Sequence, residues 1–297
     1  MNPSPAFAFG ILTDQIDQDF ETALQVATRE GFSYISLHRL WGKMVTDLTP
    51  AEMTEMLRLL ERYRLPVNMI CSLLFRPFPL DDVDVETLED HPRFQEHMAL
   101  LDRSLEIARA VGAPYIRTFA CSRNMPVVNP SPRSPDGGGI DDAQLAKIAK
   151  AMRIAVERLE GTGVQLALEN CRAFFANTGG NQRRIVDAVN HPDLKVIWDP
   201  ANAFVAGETP MPHAYELIRD RIVDVHCKDS RVVDEDIGLV ESTLIGDGGA
   251  MWVDQLPALR RDGIYTLTME TKLASLPQLR AMVNQVEGRA TALQGKA

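Results

Sequence analysis

Short apolar runs rich in β-branched or aromatic residues alternate along this chain with longer stretches whose apolar positions recur at helical spacing. The runs are FAFGIL (7–12), YISLHRL (34–40), LPVNMICSL (65–73), PYIRTFAC (114–121), VQLALEN (164–170), LKVIWDP (194–200), IVDVHCK (222–228) and YTLTMETK (265–272). The stretches that follow them predict helices over 20–30, 50–64, 93–110, 141–159, 181–189, 213–219, 253–261 and 276–293. Boundary residues agree: Thr49-Pro50 reads as a cap plus first helical position, and Gly31, Gly112, Gly161 and Gly263 stand just past helix ends.

An unbroken strand-then-helix order needs a parallel sheet, because each strand must return through a crossover helix. Eight such units are the number that closes into an α/β fold of the (β/α)8 TIM-barrel type. The competing doubly wound open sheet would carry a glycine-rich G-x-G-x-x-G first turn, and FGILTD has none. No stretch reads as a linker between domains, so the expectation is one barrel domain over 1–297. The longest irregular segment, 122–139, follows the fourth strand on the side where active-site loops lie, and reads either as a lid or as a mobile insertion.

Composition sharpens this picture. The 297 residues are 45% hydrophobic and 24% charged, as in ordinary globular proteins. A net charge of -10 removes the positive field that draws proteins to nucleic acid, so no nucleic-acid partner is expected. No apolar run approaches the ~20 residues that span a bilayer, and MNPSPAFAFG lacks the features of a signal peptide. The expectation is a cytoplasmic protein with no membrane partner. Cys71, Cys121, Cys171 and Cys227 lack paired C-x-x-C spacing and read as free thiols acting as small buried hydrophobes.

In a barrel, polar residues at the carboxyl ends of the strands converge on one mouth. The fifth to eighth strands end in Glu169, Asp199, His226 and Glu270, one metal-type ligand each. Side-chain alternation allows them to point inward together. His226 shares a face with Lys228, and with Asp224 one layer deeper, while Val225 and Cys227 face the helices. Glu270 lies on the face of Thr266 and Thr268, opposite Leu267 and Met269; Glu169 lies with Ala167, opposite Leu166 and Leu168. Three carboxylates and an imidazole suit Mn²⁺ first, with Co²⁺, Mg²⁺ or Zn²⁺ as alternatives, and the missing thiolate argues against structural zinc. Each of these residues taken singly also reads as a helix cap or an ion-pair partner. An inward Asp224 needs a polar partner or a solvated rim.

The segments ALEN (167–170), WDPANA (198–203), VHCKD (225–229), the Gly-Asp-Gly of LIGDGGAMW (244–252) and TMETK (268–272) resemble the xylose isomerase-like TIM barrels. That superfamily includes ketose 3-epimerases, hydroxypyruvate isomerase, inosose dehydratase and endonuclease IV. The epimerase branch implies that Glu169, Asp199, His226 and Glu270 hold a divalent metal, with Glu169 and Glu270 as the proton-transfer pair. The implied function is an isomerase or epimerase of a sugar or sugar-like hydroxy-ketone, acting through a metal-stabilised enediolate. The resemblance also implies a small carbohydrate substrate and a homo-oligomer, dimer or tetramer.

Two positions depart from the family pattern. Asn202 stands where many epimerases have a histidine, and Ser36, followed by His38, where relatives often show a glutamate. Asn202 can hydrogen-bond a sugar hydroxyl but cannot titrate. Lys228 reads equally as a binder of phosphate or carbonyl oxygen and as a structural ion pair, and Arg231 and Arg117 are weaker candidates for anion or hydroxyl binding. Trp41 either stacks on a sugar face or packs its loop. His38 joins Asn202, Lys228, Arg231 and Trp41 as a candidate for substrate binding. His91, His97, His191 and His213 lie near helix starts or in a turn and read as surface or capping residues. A metal-dependent lyase, a dehydratase or eliminase of a keto-sugar or keto-cyclitol, is the alternative activity. A non-catalytic sugar-binding barrel and an endonuclease rank below it, the latter because only six histidines are present.

Overall fold

The computed structural model describes residues 6–76, 78–80, 83–123 and 133–294. Its strands are β1 (Ala8–Leu12), β2 (Tyr34–Leu37), β3 (Arg39–Leu40), β4 (Lys43–Met44), β5 (Val67–Leu74), β6 (Tyr115–Thr118), β7 (Gln165–Glu169), β8 (Leu194–Trp198), β9 (Ile222–Cys227), β10 (Asp229–Asp234), β11 (Leu239–Thr243) and β12 (Thr266–Met269). Its α-helices are α1 (Phe20–Arg29), α2 (Pro50–Tyr63), α3 (Pro92–Val111), α4 (Asp142–Glu157), α5 (Gly179–Val189), α6 (Pro200–Ala206), α7 (Tyr215–Ile218), α8 (Trp252–Arg261) and α9 (Leu276–Gln294).

Eight strands pair in parallel and close a barrel in the order β1-β12-β9-β8-β7-β6-β5-β2. Each falls within one residue of an apolar run read from the sequence, so the TIM-barrel expectation holds. The helix signals hold too. Thr49 and Glu52 form a reciprocal capping box with Pro50 at the first position. Gly31, Gly112, Gly161 and Gly263 all take positive φ.

The strands separate two apolar layers. Leu166, Leu168, Val225, Cys227, Leu267 and Met269 pack in the large core between sheet and helices. Leu12, Met69, Cys71, Ala167 and Ile197 form a second cluster inside the barrel. Inward and outward faces therefore follow the expected alternation. Below the mouth the interior turns polar: Asp224 accepts from Thr268 Oγ1 (2.7 Å), Val225 N (2.9 Å), Asn68 Nδ2 (3.2 Å) and Tyr34 Oη (3.4 Å). Its partners are thus supplied by β2, β5, β9 and β12. Tyr34 reaches across because residue 10 has no side chain; a Cβ there would lie 2.0 Å from the tyrosine ring.

The four cysteines are free, and Cys171 is half-buried where the others are buried. His97 corrects a sequence expectation. It is buried in α3, its Nδ1 accepts from Phe75 N (3.1 Å), and its ring packs against Phe75 and Phe78. Part of the 122–139 segment, residues 124–132, lies outside the described residues. Its remainder is tied down, with Arg133 Nη2 donating to Phe204 O (2.8 Å) and Ser134 N to Ala206 O (2.7 Å). No described helix is long and apolar enough to cross a membrane.

Candidate metal centre

Four consecutive barrel positions deliver the predicted ligands. Glu169 ends β7, Asp199 follows β8, His226 lies near the end of β9 and Glu270 follows β12. One ligand atom from each lies within 4.8 Å of the others. Glu169, Asp199 and His226 are buried, and the Glu270 side chain is 18% exposed. Local structure assigns each carboxylate oxygen a direction. Asp199 caps α6, its Oδ1 accepting from Asn202 N (2.9 Å), which leaves Oδ2 turned to the cluster. The cap reading holds for this residue through Oδ1, and Oδ2 is the oxygen turned toward the other candidate ligands.

Two cations complete the shell. Arg117, 2% exposed inside the barrel, donates through Nη1 to Glu169 Oε2 (3.1 Å) and lies 3.6 Å from Glu270 Oε1. It also donates to the Ser72 and Cys71 carbonyls and lies over the Phe119 ring. Lys228 Nζ donates to Glu270 Oε2 (2.7 Å) and lies 2.8 Å from Asp199 Oδ2, close enough for an ion pair though off the hydrogen-bond line. The ammonium therefore meets two carboxylates of the cluster. His226 Nδ1 stands 3.4 Å from Glu169 Oε1 and 3.6 Å from Glu270 Oε2.

The electrostatics follow from this geometry. Burial pushes the Glu169 carboxyl up and Glu270 adds to that, but Arg117 and His226 outweigh both and hold it below the usual carboxylate range. Burial likewise opposes ionisation of Glu270, and Lys228, His226 and Arg117 hold it well below that range. Asp199 has no such surplus: burial raises it to about 6 against the pull of Lys228. Burial would lower His226, yet Glu169 and Glu270 raise it to about 10. Arg117, Lys228 and a protonated His226 thus balance the three carboxylates, and a further cation would take the place of the imidazolium proton.

Hydrogen bonding tests whether that cation can be a metal. His226 Nε2 is buried with no hydrogen-bond partner among the described residues, while His226 Nδ1 and Asp199 Oδ2 meet only the ion-pair partners named above. Buried polar atoms are rarely left so, and an imidazole facing three carboxylates fits an electron-deficient ion of the kind bound by mixed oxygen and nitrogen donors. The residues present fit the group.

The other candidates separate. Asn202 joins the cluster, its Nδ2 donating to Asn170 O (2.8 Å) and reaching Glu169 Oε1 (3.5 Å). His38 lies at the end of β2, across the mouth. Trp41 packs its ring edge against Phe20 (5.8 Å). Arg231 pairs with Glu241 on the exposed β10–β11 hairpin. Sequence reasoning missed Asp14, which pairs with His38, and the role of Asp229 in fixing the loop beside Lys228.

Comparison with known proteins places this geometry. Residues 24–287 match the model of the family described as xylose isomerase-like TIM barrel. No curated protein matches the sequence. Among solved structures, a xylose isomerase-like TIM barrel protein from Mycobacterium smegmatis in complex with magnesium is similar at 18% identity and a TM-score of 0.68, covering 96% of this chain and 97% of that one. A D-tagatose 3-epimerase-like protein is similar at 16% identity and a TM-score of 0.70, covering 95% and 99%. The probable 3-DHS dehydratase AsbF from Bacillus anthracis is similar at 16% identity and a TM-score of 0.65, covering 96% and 98%. At these identities the structures establish the shared fold, and the family match over most of the length establishes membership: the chain belongs to the xylose isomerase-like TIM-barrel family.

Proposed function

We propose that this protein is a divalent-metal-dependent isomerase or epimerase that removes a proton beside the carbonyl of a sugar or sugar-like hydroxy-ketone. The observation that carries the reading is the convergence of Glu169, Asp199, His226 and Glu270 from four neighbouring strands to within 4.8 Å. Those four residues would hold the ion, Mn²⁺ first among the candidates. When bound, it supplies Lewis acidity to the substrate's carbonyl oxygen.

The chain's own residues supply the proton chemistry. Glu169 and Glu270 are both held ionised by the cations around them, the state from which a base must start. Arg117 touches both and fixes their separation. A proton taken by one glutamate and returned from the other would arrive on the opposite face of the carbon, which inverts it. Asn202 beside Glu169 and Lys228 beside Glu270 supply donors for substrate oxygens.

A charge count supports this. Three carboxylates stand against Arg117 and Lys228, so with a neutral His226 the shell carries one net negative charge. A divalent ion would turn that into one net positive charge, which complements the single negative charge that builds on the substrate as its C–H bond breaks. Elimination shares this first step and adds one requirement, an acid on the far side to release a hydroxyl group.

Keto-sugars incubated with the Mn²⁺-loaded protein in deuterated buffer should take up deuterium at the carbon beside the carbonyl. Glu270→Gln should slow that uptake by about 10²–10⁴-fold, the usual contribution of a positioned proton-transfer group. Undiminished uptake in this variant would refute the assignment.

A further inference from the structure

Main-chain pairing of β7 with β8 stops at Glu169, which stands opposite Ile197. Beyond that point a side chain carries the pairing on. The Asn170 amide is fully buried and meets the main chain of Asp199 twice: Nδ2 donates to Asp199 O (2.8 Å), and Oδ1 accepts from Asp199 N (2.8 Å). These partners settle which end of the amide is which, because a backbone N–H can only donate and a carbonyl can only accept. An aspartate of the same shape would set a carboxylate oxygen against Asp199 O, and a leucine would leave both backbone groups buried and unmet.

The two bonds fall on the two peptide units that flank one residue, so together they pin the φ and ψ of Asp199 at -118° and 95°. Asn202 N then holds Oδ1 (2.9 Å). With its backbone held from one side and one oxygen from the other, Asp199 presents Oδ2 toward Glu169, His226 and Glu270. The arrangement closes on itself, since Asn202 Nδ2 donates to Asn170 O (2.8 Å) and reaches Glu169 Oε1 (3.5 Å). Two candidate ligands on different strands are thus tied to one residue that ligates nothing.

A second buried amide spans the same strands. Gln182, on α5, donates through Nε2 to Leu168 O (3.0 Å) and Ile197 O (3.2 Å). It ties β7 to β8 from the helix layer, and neither acceptor belongs to a candidate ligand. Comparing the two amides therefore separates tethering of the strands from placement of Asp199.

We propose that Asn170 is a positioning residue of this centre, whose amide holds the Asp199 main chain so that Oδ2 stays where Glu169, His226 and Glu270 converge, and so sets affinity and coordination geometry for the divalent ion. This rests on the ligand assignment proposed above. Loss of the amide leaves all four ligand side chains in the chain and frees one of them to turn. The consequence falls on metal binding in excess of what the lost hydrogen bonds cost the fold.

The test titrates the metal-free native protein, Asn170→Leu, Asn170→Ser and Gln182→Met with Mn²⁺ by calorimetry, and records the visible absorption of each after Co²⁺ loading. Both Asn170 variants should bind Mn²⁺ about 10–100-fold more weakly, the usual cost of removing a group that orients a ligand, and their Co²⁺ spectra should differ from the native one. Gln182→Met should lower the urea midpoint as Asn170→Leu does, yet hold Mn²⁺ affinity within about threefold and keep the native Co²⁺ spectrum. Native affinity and spectrum in the Asn170 variants would overturn the proposal, as would an equal loss of affinity in Gln182→Met, which would reduce Asn170 to a strand tether. Failure of both Asn170 variants to fold without metal would overturn it too, by making the residue structural. Native binding that survives His226→Ala, or no native binding, would overturn the ligand assignment and the positioning role together. The expected binding differences with no deuterium uptake from keto-sugars by the native protein would overturn the proton abstraction alone and leave the positioning role standing.

Discussion

Asp229→Asn tests how the chain holds Lys228 against the Glu169–Asp199–His226–Glu270 cluster. The Asp229 carboxylate is buried, with both oxygens fully used. Oδ1 accepts from Ser230 N (2.9 Å) and Ala250 N (3.0 Å), and Oδ2 from Gly246 N (2.9 Å) and Gly248 N (3.1 Å). The Gly-Asp-Gly segment is thus a cradle of amides around a carboxylate, and a Cβ at Gly248 would lie 2.3 Å from Asp229 Oδ1. Trp252, just beyond, donates from Nε1 to Lys228 O (3.0 Å). In the asparagine variant one oxygen becomes an NH₂ group, which must face two backbone N–H donors. Two charge-assisted hydrogen bonds are lost at roughly 1.5–3 kcal/mol each, and local relaxation returns part of that, for an expected loss of about 3–5 kcal/mol. Asp234→Asn is the control: its carboxylate also accepts from backbone amides, those of Asp236 and Ile237, but at an exposed turn. It should cost less than about 1 kcal/mol. Urea denaturation gives the stabilities, and amide hydrogen exchange at Gly246, Gly248 and Ala250 gives the location. If Asp229→Asn stays within about 1 kcal/mol of the native protein and those amides keep their exchange rates, the cradle does not hold the loop.

Two further outcomes follow from buried groups elsewhere. Burial, assisted by Arg93, holds the His97 imidazole down at about 4, so between about pH 4 and 6.5 the unfolded chain binds more protons than the folded one. The His97 contribution to stability should be full above about pH 6.5 and fall by up to about 3 kcal/mol as the pH drops toward 4, so the stability difference between the native protein and His97→Gln should shrink by that amount, and a constant difference in urea titrations would count against it. Mn²⁺ at a hundredfold excess over its dissociation constant should stabilise the native protein by ~2.7 kcal/mol, and the thermal shift should vanish in His226→Ala. A shift that survives the substitution would place the ion elsewhere.

The strands were legible because a buried parallel strand is an apolar run, and its inward residues are fixed by a period of two. Glu169, Asp199, His226 and Glu270 could be found that way because each sits at or just past the end of a recognisable run. The helix α6 was hidden because WDPANAFVAG joins a strand end to a cap and only seven helical residues. The β10–β11 hairpin was passed over because its strands are largely exposed and carry no apolar face. Its signal was nonetheless present, in valines on either side of the acidic turn DEDIG. Asp14 and Asp229 were beyond reach for a different reason. Asp14 matters only through a residue on the neighbouring strand, and Asp229 only through amides about twenty residues later, so tertiary register decides both.

Strand β9 shows why the site and the barrel are one problem. Its inward positions, with the residue that follows the strand, are Asp224, His226 and Lys228, three ionisable groups in successive layers of a closed interior. Leaving such a group uncompensated costs several kcal/mol. None is compensated by β9 side chains alone. Asp224 depends on Tyr34, Asn68 and Thr268, His226 on Glu169 and Glu270, and Lys228 on Asp199 and Glu270. Those partners come from both neighbours of β9 in the sheet and from strands further round, so β9 can be inserted without an orphaned charge only when the barrel has closed. Closure therefore brings the candidate metal ligands together as a condition of folding. A substitution at one of these partners then leaves a buried charge short of compensation, and its cost to stability reports on the same contacts on which the proposed chemistry rests.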